Sequence, residues 1–130
     1  MSTADNARAL IERYIDTWNE ADPTARRAMV EALWTEDGSY VDPLAVAEGP
    51  EAIDATIAAV RAQFPDLVFR LAGPVDAHHH LARFTWELGP KDGEALVVGF
   101  DVAVLDGAEG GPDALRLTAV HGFLDKVPAM

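Results

Sequence analysis

The run Val97-Val98-Gly99-Phe100-Asp101-Val102-Ala103-Val104-Leu105 sets a carboxylate at the centre of an apolar strand. Removal from water penalises the charged form of such an acid and raises its pKa unless a donor or a cation compensates. Its neighbours on the same side of the strand, Gly99 and Ala103, are small and leave space above it. An acid placed this way serves proton transfer, or it caps a bulge or pairs with Arg83 or Arg116. Asp42 is a second acid, one residue before Pro43 at the end of a short β-like run, with Tyr40 on the same side by alternation. It fits either a proton carrier or an ordinary Asp-Pro turn. Tyr14 and Trp18 stand one helical turn apart, so a phenol and an indole line one inner wall, of a pocket or of a plain core. Trp86, with Phe84 and His80 on its parity, supplies a second aromatic wall. His121 alternates in phase with Leu115, Leu117, Ala119 and Phe123 and is expected to point into an apolar face, as a core residue or as a proton shuttle for Asp101.

Other chemistries find little support. The run His78-His79-His80 puts only His78 and His80 on one side of a strand end, and no third ligand has recognisable spacing, so a solvated turn is expected and no metal. Glycine-rich phosphate loops, G-x-S-x-G and H-E-x-x-H are all missing from the sequence, and no cofactor is expected.

The elements that must position these residues fall into two blocks. Leu10, Ile11, Tyr14, Ile15 and Trp18 recur at helical spacing, closed by residues 19–22. Asp22-Pro23 supplies a cap and a first-turn proline for a second helix with the stripe Met29, Val30, Leu33 and Trp34. Asp37-Gly38 reads as a turn leading into the strand-like Ser39-Tyr40-Val41-Asp42, which Pro43 ends. A third helix runs from Gly49-Pro50-Glu51 to Pro65 with Ile53, Ile57, Val60 and Phe64 on one face. Beyond Asp66 the period becomes two, with strands at about 67–76, 79–88, 94–105 and 114–124, punctuated by Gly73-Pro74, Gly89-Pro90, Asp92-Gly93 and a loop at 106–112. Helices followed by a meander predict an α+β domain: three N-terminal helices packed on one face of a curved, mostly antiparallel sheet. The strand around Asp101 is apolar on both parities, which predicts that both sheet faces are covered. One helical layer covers one face, so a homodimer through the outer sheet face is expected.

The 130 residues suit a single domain, 1–130. A net charge of −12, from 10 basic and 22 acidic residues, disfavours nucleic acid and anionic membrane surfaces as partners. There is no cysteine, so disulfides, thiolate nucleophiles and cysteine-ligated metals are excluded. With neither a leader-like N-terminus nor a membrane-length apolar run, a cytoplasmic protein is expected.

The segments IERYIDTWNEAD, DGSYVDPLAVAEGPEAI, RFTWEL and VVGFDVAVLDG leading to LTAVHGFLD resemble, in order and spacing, the nuclear transport factor 2-like superfamily, especially its SnoaL-like polyketide cyclase and ketosteroid isomerase branches. The resemblance covers nearly the whole chain and implies a cone-shaped α+β fold. Residue by residue, it implies Tyr14 as an oxyanion-hole tyrosine, Asp42 as a general base and Asp101 as a protonated acid donor, as in the steroid isomerases. Trp86 and the Gly-Phe-Asp context look more like the SnoaL-like branch, where the strand aspartate serves as acid and base in ring closure. The expected function is cofactor-independent proton transfer, isomerisation or aldol-type cyclisation, on a small apolar carbonyl compound. Asp42, Asp101, Tyr14 and His121 would be catalytic, and Trp18, Tyr40, Trp86 and Phe84 would shape the cavity. The alternative is a non-catalytic ligand-binding or dimeric scaffold domain of the same fold.

Overall fold

The computed structural model describes residues 3–107 and 114–127, so most of the loop expected at 106–112 lies outside the described residues. Helix α1 (Thr3–Asn19) buries one stripe, Ala7, Leu10, Ile11, Tyr14, Ile15 and Trp18, as the three- and four-residue spacing requires. Helix α2 (Pro23–Leu33) opens on Asp22, whose Oδ2 accepts from the Ala25 N–H at 2.8 Å, and Pro23 occupies a first-turn position that needs no N–H. Buried Arg26 pairs with Asp54 at 2.9 Å and ties α2 to α3 (Pro50–Gln63), whose Ile53 and Ile57 are buried.

Six strands form one sheet in the order β2-β1-β6-β5-β4-β3, with β1 and β6 parallel and every other pair antiparallel. They are β1 (Trp34–Val41), β2 (Val46–Glu48), β3 (Val68–His78), β4 (Leu81–Gly89), β5 (Val97–Asp106) and β6 (Arg116–Lys126). The three helices pack on one face of this sheet, the α+β cone expected from the sequence.

Two local expectations change. Trp34 does not close the α2 stripe; it takes extended backbone and opens β1, which pairs with β6 at Trp34↔Leu117 and again from Ser39↔Ala119. The Asp37-Gly38 signal falls where that register breaks, between Trp34 and Ser39, and Gly38 lies there under the Trp34 indole. The Asp-Pro turn belongs instead to a β1–β2 hairpin, closed by Asp42 N–H to Ala45 O at 2.9 Å.

The second change concerns His121. Val104 pairs with Ala119 but Leu105 pairs with Leu117, so Thr118 is an extra residue in β6 and the alternation flips there. Leu115 and Leu117 face the core before the bulge, and Val120, Gly122 and Leu124 face it afterwards. Ala119, His121 and Phe123 turn outward, and His121 is exposed. On that outer face lie half-buried Val98, Phe100, Val102 and Val104 with Phe123, 57% exposed, and no element of the described chain covers them.

Candidate active site

Asp101 occupies the middle of β5 on the helix-facing side, opposite Phe84 of β4 and Gly122 of β6, and is only 2% exposed. Its Oδ1 accepts the Trp86 Nε1–H at 3.0 Å. Burial pushes its pKa up to about 7; the Trp86 hydrogen bond pulls against this, the charge of Asp42 adds to it, and a hydrogen bond with the Tyr14 phenol pulls against it again. Arg83, one of the cations that could have neutralised it, is exposed and pairs with Asp76 at 3.1 Å. Among the described residues neither Asp101 nor Asp42 forms an ion pair.

Local packing explains how the indole reaches the acid. A Cβ on Gly99 would fall 2.1 Å from Trp86 Cζ2, so the ring lies flat on the Gly99 backbone and only glycine fits beneath it. The space that Gly99 opens beside Asp101 is thus filled by the Trp86 indole. Gly122 plays a similar part on the other side. The point where its Cβ would stand is 2.9 Å from Asp101 Oδ1 and 3.3 Å from Asp42 Cβ, so the two acids flank a single missing methyl group.

Asp42 combines both roles open to it from the sequence. Its Oδ1 accepts the Leu44 and Ala45 N–H groups, each at 2.8 Å, as an aspartate opening a turn does. Its Oδ2 accepts the Tyr40 hydroxyl at 2.6 Å and borders the same cavity as Asp101. The Tyr40 pKa is raised by burial first, then by this hydrogen bond and by the charges of Asp42 and Asp101, so Tyr40 stays a neutral donor. Tyr14 is likewise raised well above the ordinary phenol value, by burial first and then by the charge of Asp101. The Trp18 N–H acts on the Tyr14 oxygen in the opposite sense, yet it is buried and makes no hydrogen bond of good geometry.

These groups surround a cavity of about 150 Å³ between α1, the end of α3 and the inner face of the sheet. That is smaller than the few hundred cubic ångströms of an ordinary ligand pocket. Tyr14, Trp18, Tyr40, Asp42, Trp86 and Asp101 all line it. Phe84 does not; it lies behind Tyr14, edge to face at 6.0 Å between centroids, and supports the phenol. His121 does not either, because the β6 bulge sends it to the opposite face. The three consecutive histidines end β3 and form the exposed turn before β4. Ile15, Leu44, Val60, Gln63, Phe64, Phe69, Leu88, Val97 and Leu124 complete the lining. Of these Ile15 was visible on the α1 stripe and Val60 and Phe64 on that of the third helix; Gly122, beside the acids, was readable as a glycine inside a strand, a mark of close approach. The remaining residues depend on how α3 lies over the sheet.

Three helices over the inner face of a mixed six-stranded sheet, with paired acids at the base of an aromatic hollow, define a nuclear transport factor 2-like cone. A superfamily protein from Salmonella enterica superposes with a TM-score of 0.72 over 99% of this chain and 95% of that one, at 19% identity. A SnoaL-like protein from Burkholderia thailandensis superposes at 0.68, 17% identical, covering 95% and 98%. Residues 11–123 match the sequence profile of the SnoaL-like domain, and the chain belongs to that family. A protein of the SnoaL-like family from Agrobacterium tumefaciens, described as a candidate isomerase, is 40% identical over 93% of this chain and 98% of its own, with a TM-score of 0.83. No curated protein matches the chain.

Proposed function

We propose that this chain is a cofactor-independent enzyme that moves protons on an apolar carbonyl compound, by isomerisation or aldol-type cyclisation. One observation carries the reading: Asp42 and Asp101 stand on either side of Gly122 at one cavity, and burial raises the pKa of Asp101 to about 7. Asp42, whose carboxylate oxygens accept three hydrogen bonds at the edge of the cavity, is the base. Asp101, poised near neutrality, is the protonated partner. In the isomerisation, Asp42 takes the proton from the carbon beside the carbonyl, the freed electron pair moves onto the oxygen as an enolate, and Tyr14 and Asp101 donate hydrogen bonds to that oxygen. Asp42 then returns the same proton to the γ-carbon, the double bond shifts, and the enzyme is unchanged. In the cyclisation the enolate carbon instead attacks a second carbonyl, and Asp101 gives its proton to the alkoxide that forms. Asp101 recovers it through solvent from the proton Asp42 removed. The Agrobacterium relative's description as a candidate isomerase supports the same class.

Asp42→Asn, Asp101→Asn and Tyr14→Phe test this on ketone turnover. Losing one oxyanion donor lowers kcat by about 10²–10³-fold, and the Asp42 variant should fall further. Turnover unchanged in both aspartate variants would overturn the mechanism. The rival, a non-catalytic binding or scaffold domain, draws on the turn hydrogen bonds of Asp42, which a purely structural aspartate would also make. It predicts ligand binding with no proton exchange at the bound ketone. The apolar outer sheet face, with Phe123 at its edge, is the surface through which we expect two copies to pair.

A further inference from the structure

We infer that the substrate is a compact ketone of a single ring, too small to be a fused polycycle; this rests on the acid–base reading above. The cavity's 150 Å³ is the volume that, in a well-studied engineered protein, holds one benzene molecule. Its back wall is also fixed in place. Trp18, Phe69 and Trp86 stack in sequence with centroids 5.3 and 5.4 Å apart. Trp86 cannot retreat, because its indole already lies on the Gly99 backbone. Phe69 cannot swing away with its strand, because the Asn19 side chain clasps its backbone twice, donating to its carbonyl at 2.8 Å and accepting its N–H at 2.7 Å. The back wall is therefore rigid, and a larger molecule could only project through the mouth beside exposed Leu44, away from the acids, so the space next to the acids holds a single ring.

The distribution of polar groups completes the description. Tyr14, Asp101, Asp42 and Tyr40 form one linked cluster, and apart from Gln63 the rest of the lining is apolar or aromatic. The Trp18 N–H is buried beside the Tyr14 phenol, behind the cluster, and is closed off from the cavity. A carbonyl oxygen with two lone pairs fits this cluster, and an unadorned ring fits the remainder.

The test uses three β,γ-unsaturated ketones with the full-length protein: cyclohex-3-enone, a fused two-ring analogue and a four-ring steroid. Binding is read from the fluorescence of the cavity tryptophans, and turnover from the absorbance of the conjugated enone. The single-ring ketone should bind and be isomerised, kcat/KM should fall by at least about tenfold at two rings, and the steroid should show no saturable binding. Phe69→Ala should shift the preference toward two rings. Phe64→Ala, at the half-buried end of α3, should do so to a smaller extent and serves if Phe69→Ala does not fold. Comparable efficiency on all three ketones, or tighter binding of the steroid, would overturn the size limit while leaving the acid–base mechanism standing. Selective binding of the single ring without turnover would uphold the size limit and sink the mechanism. Binding of none would overturn the assigned substrate class.

Discussion

Replacing Trp86 by Phe removes the hydrogen bond that Asp101 Oδ1 accepts at 3.0 Å, and the pH profile should report it. The donor stabilises the carboxylate and so holds the pKa down; without it the proton is kept to higher pH. A hydrogen bond to a charged group contributes about 1.5–3 kcal/mol, and about 1.4 kcal/mol corresponds to one pH unit, so the pKa of Asp101 should rise from about 7 by roughly one to two units. In the proposed mechanism Asp101 works as the protonated donor. Activity therefore falls as pH rises through the pKa of Asp101, and kcat/KM reports that value in the free enzyme. The profile of the native protein, measured from pH 5 to 9.5 on cyclohex-3-enone, should turn down near 7, and that of Trp86→Phe should turn down above 8. Gly99→Ala reaches the same end by another route, since its methyl would displace the indole from the strand, and it should move the limb in the same direction. Comparing the position of the limb, and not the absolute rate, separates this effect from any change in cavity shape. A limb that stays near 7 in both variants would refute the assignment of Asp101. Activity that climbs through pH 7 would show the ionised form at work, with Asp101 as the base.

Three further outcomes follow from the same geometry. Between about pH 4 and 7 native Asp101 keeps a proton that the unfolded chain has released, so stability falls as pH rises across that window, by roughly 4 kcal/mol in total. Asp101→Asn removes that slope, and in urea unfolding its stability relative to the native protein should improve by about 2–3 kcal/mol between pH 5 and pH 8; parallel curves for the two proteins would contradict it. Gly122→Ala puts a methyl 2.9 Å from Asp101 Oδ1 and 3.3 Å from Asp42 Cβ, so turnover should drop by about tenfold or more while the fold persists, as circular dichroism would show. Phe123→Asp, on the outer sheet face, should convert a dimer to a monomer in sedimentation equilibrium, and an unchanged mass would rule that face out as the contact.

The three helices were legible because each carries a one-sided apolar stripe and two of them begin at a proline. The placement of Tyr14, Asp42 and Asp101 on one cavity was legible through the resemblance to the steroid isomerases, while alternation and the α1 stripe alone left Asp42 as an ordinary turn residue. His121 was misread for a related reason. Alternation holds only while pairing is regular, and the extra residue at Thr118 turns everything after it to the opposite face. Nothing in the sequence of β6 announces the bulge; it appears only in the mismatch with β5. The cavity volume was equally hidden, since it is set by where the Trp86 ring comes to rest on Gly99 and by the clasp of Asn19 on β3. Both contacts join residues distant in sequence, which local patterns do not encode.

The turn aspartate and the strand aspartate each have a structural explanation when taken alone, but together they do not. The Oδ1 hydrogen bonds of Asp42 complete a hairpin turn, yet that turn needs neither the Tyr40 hydroxyl on Oδ2 nor a bare glycine beside it. Asp101 lowers stability above about pH 4, and a fold selected for stability alone would place Asn there, which keeps an acceptor for the Trp86 N–H without the charge. Arginine is available on the adjacent strand, but Arg83 faces the opposite side of the sheet with Asp76, so the acid has been left without a cation. Around it, two strands carry glycines, which weaken strands, at the positions where one admits the Trp86 indole and the other lets the two carboxyl groups approach. These departures from the most stable choice all concern the surroundings of one carboxyl group. A carboxyl whose proton affinity lies near neutrality suits acid–base chemistry, and this supports the proposed reading over the scaffold alternative.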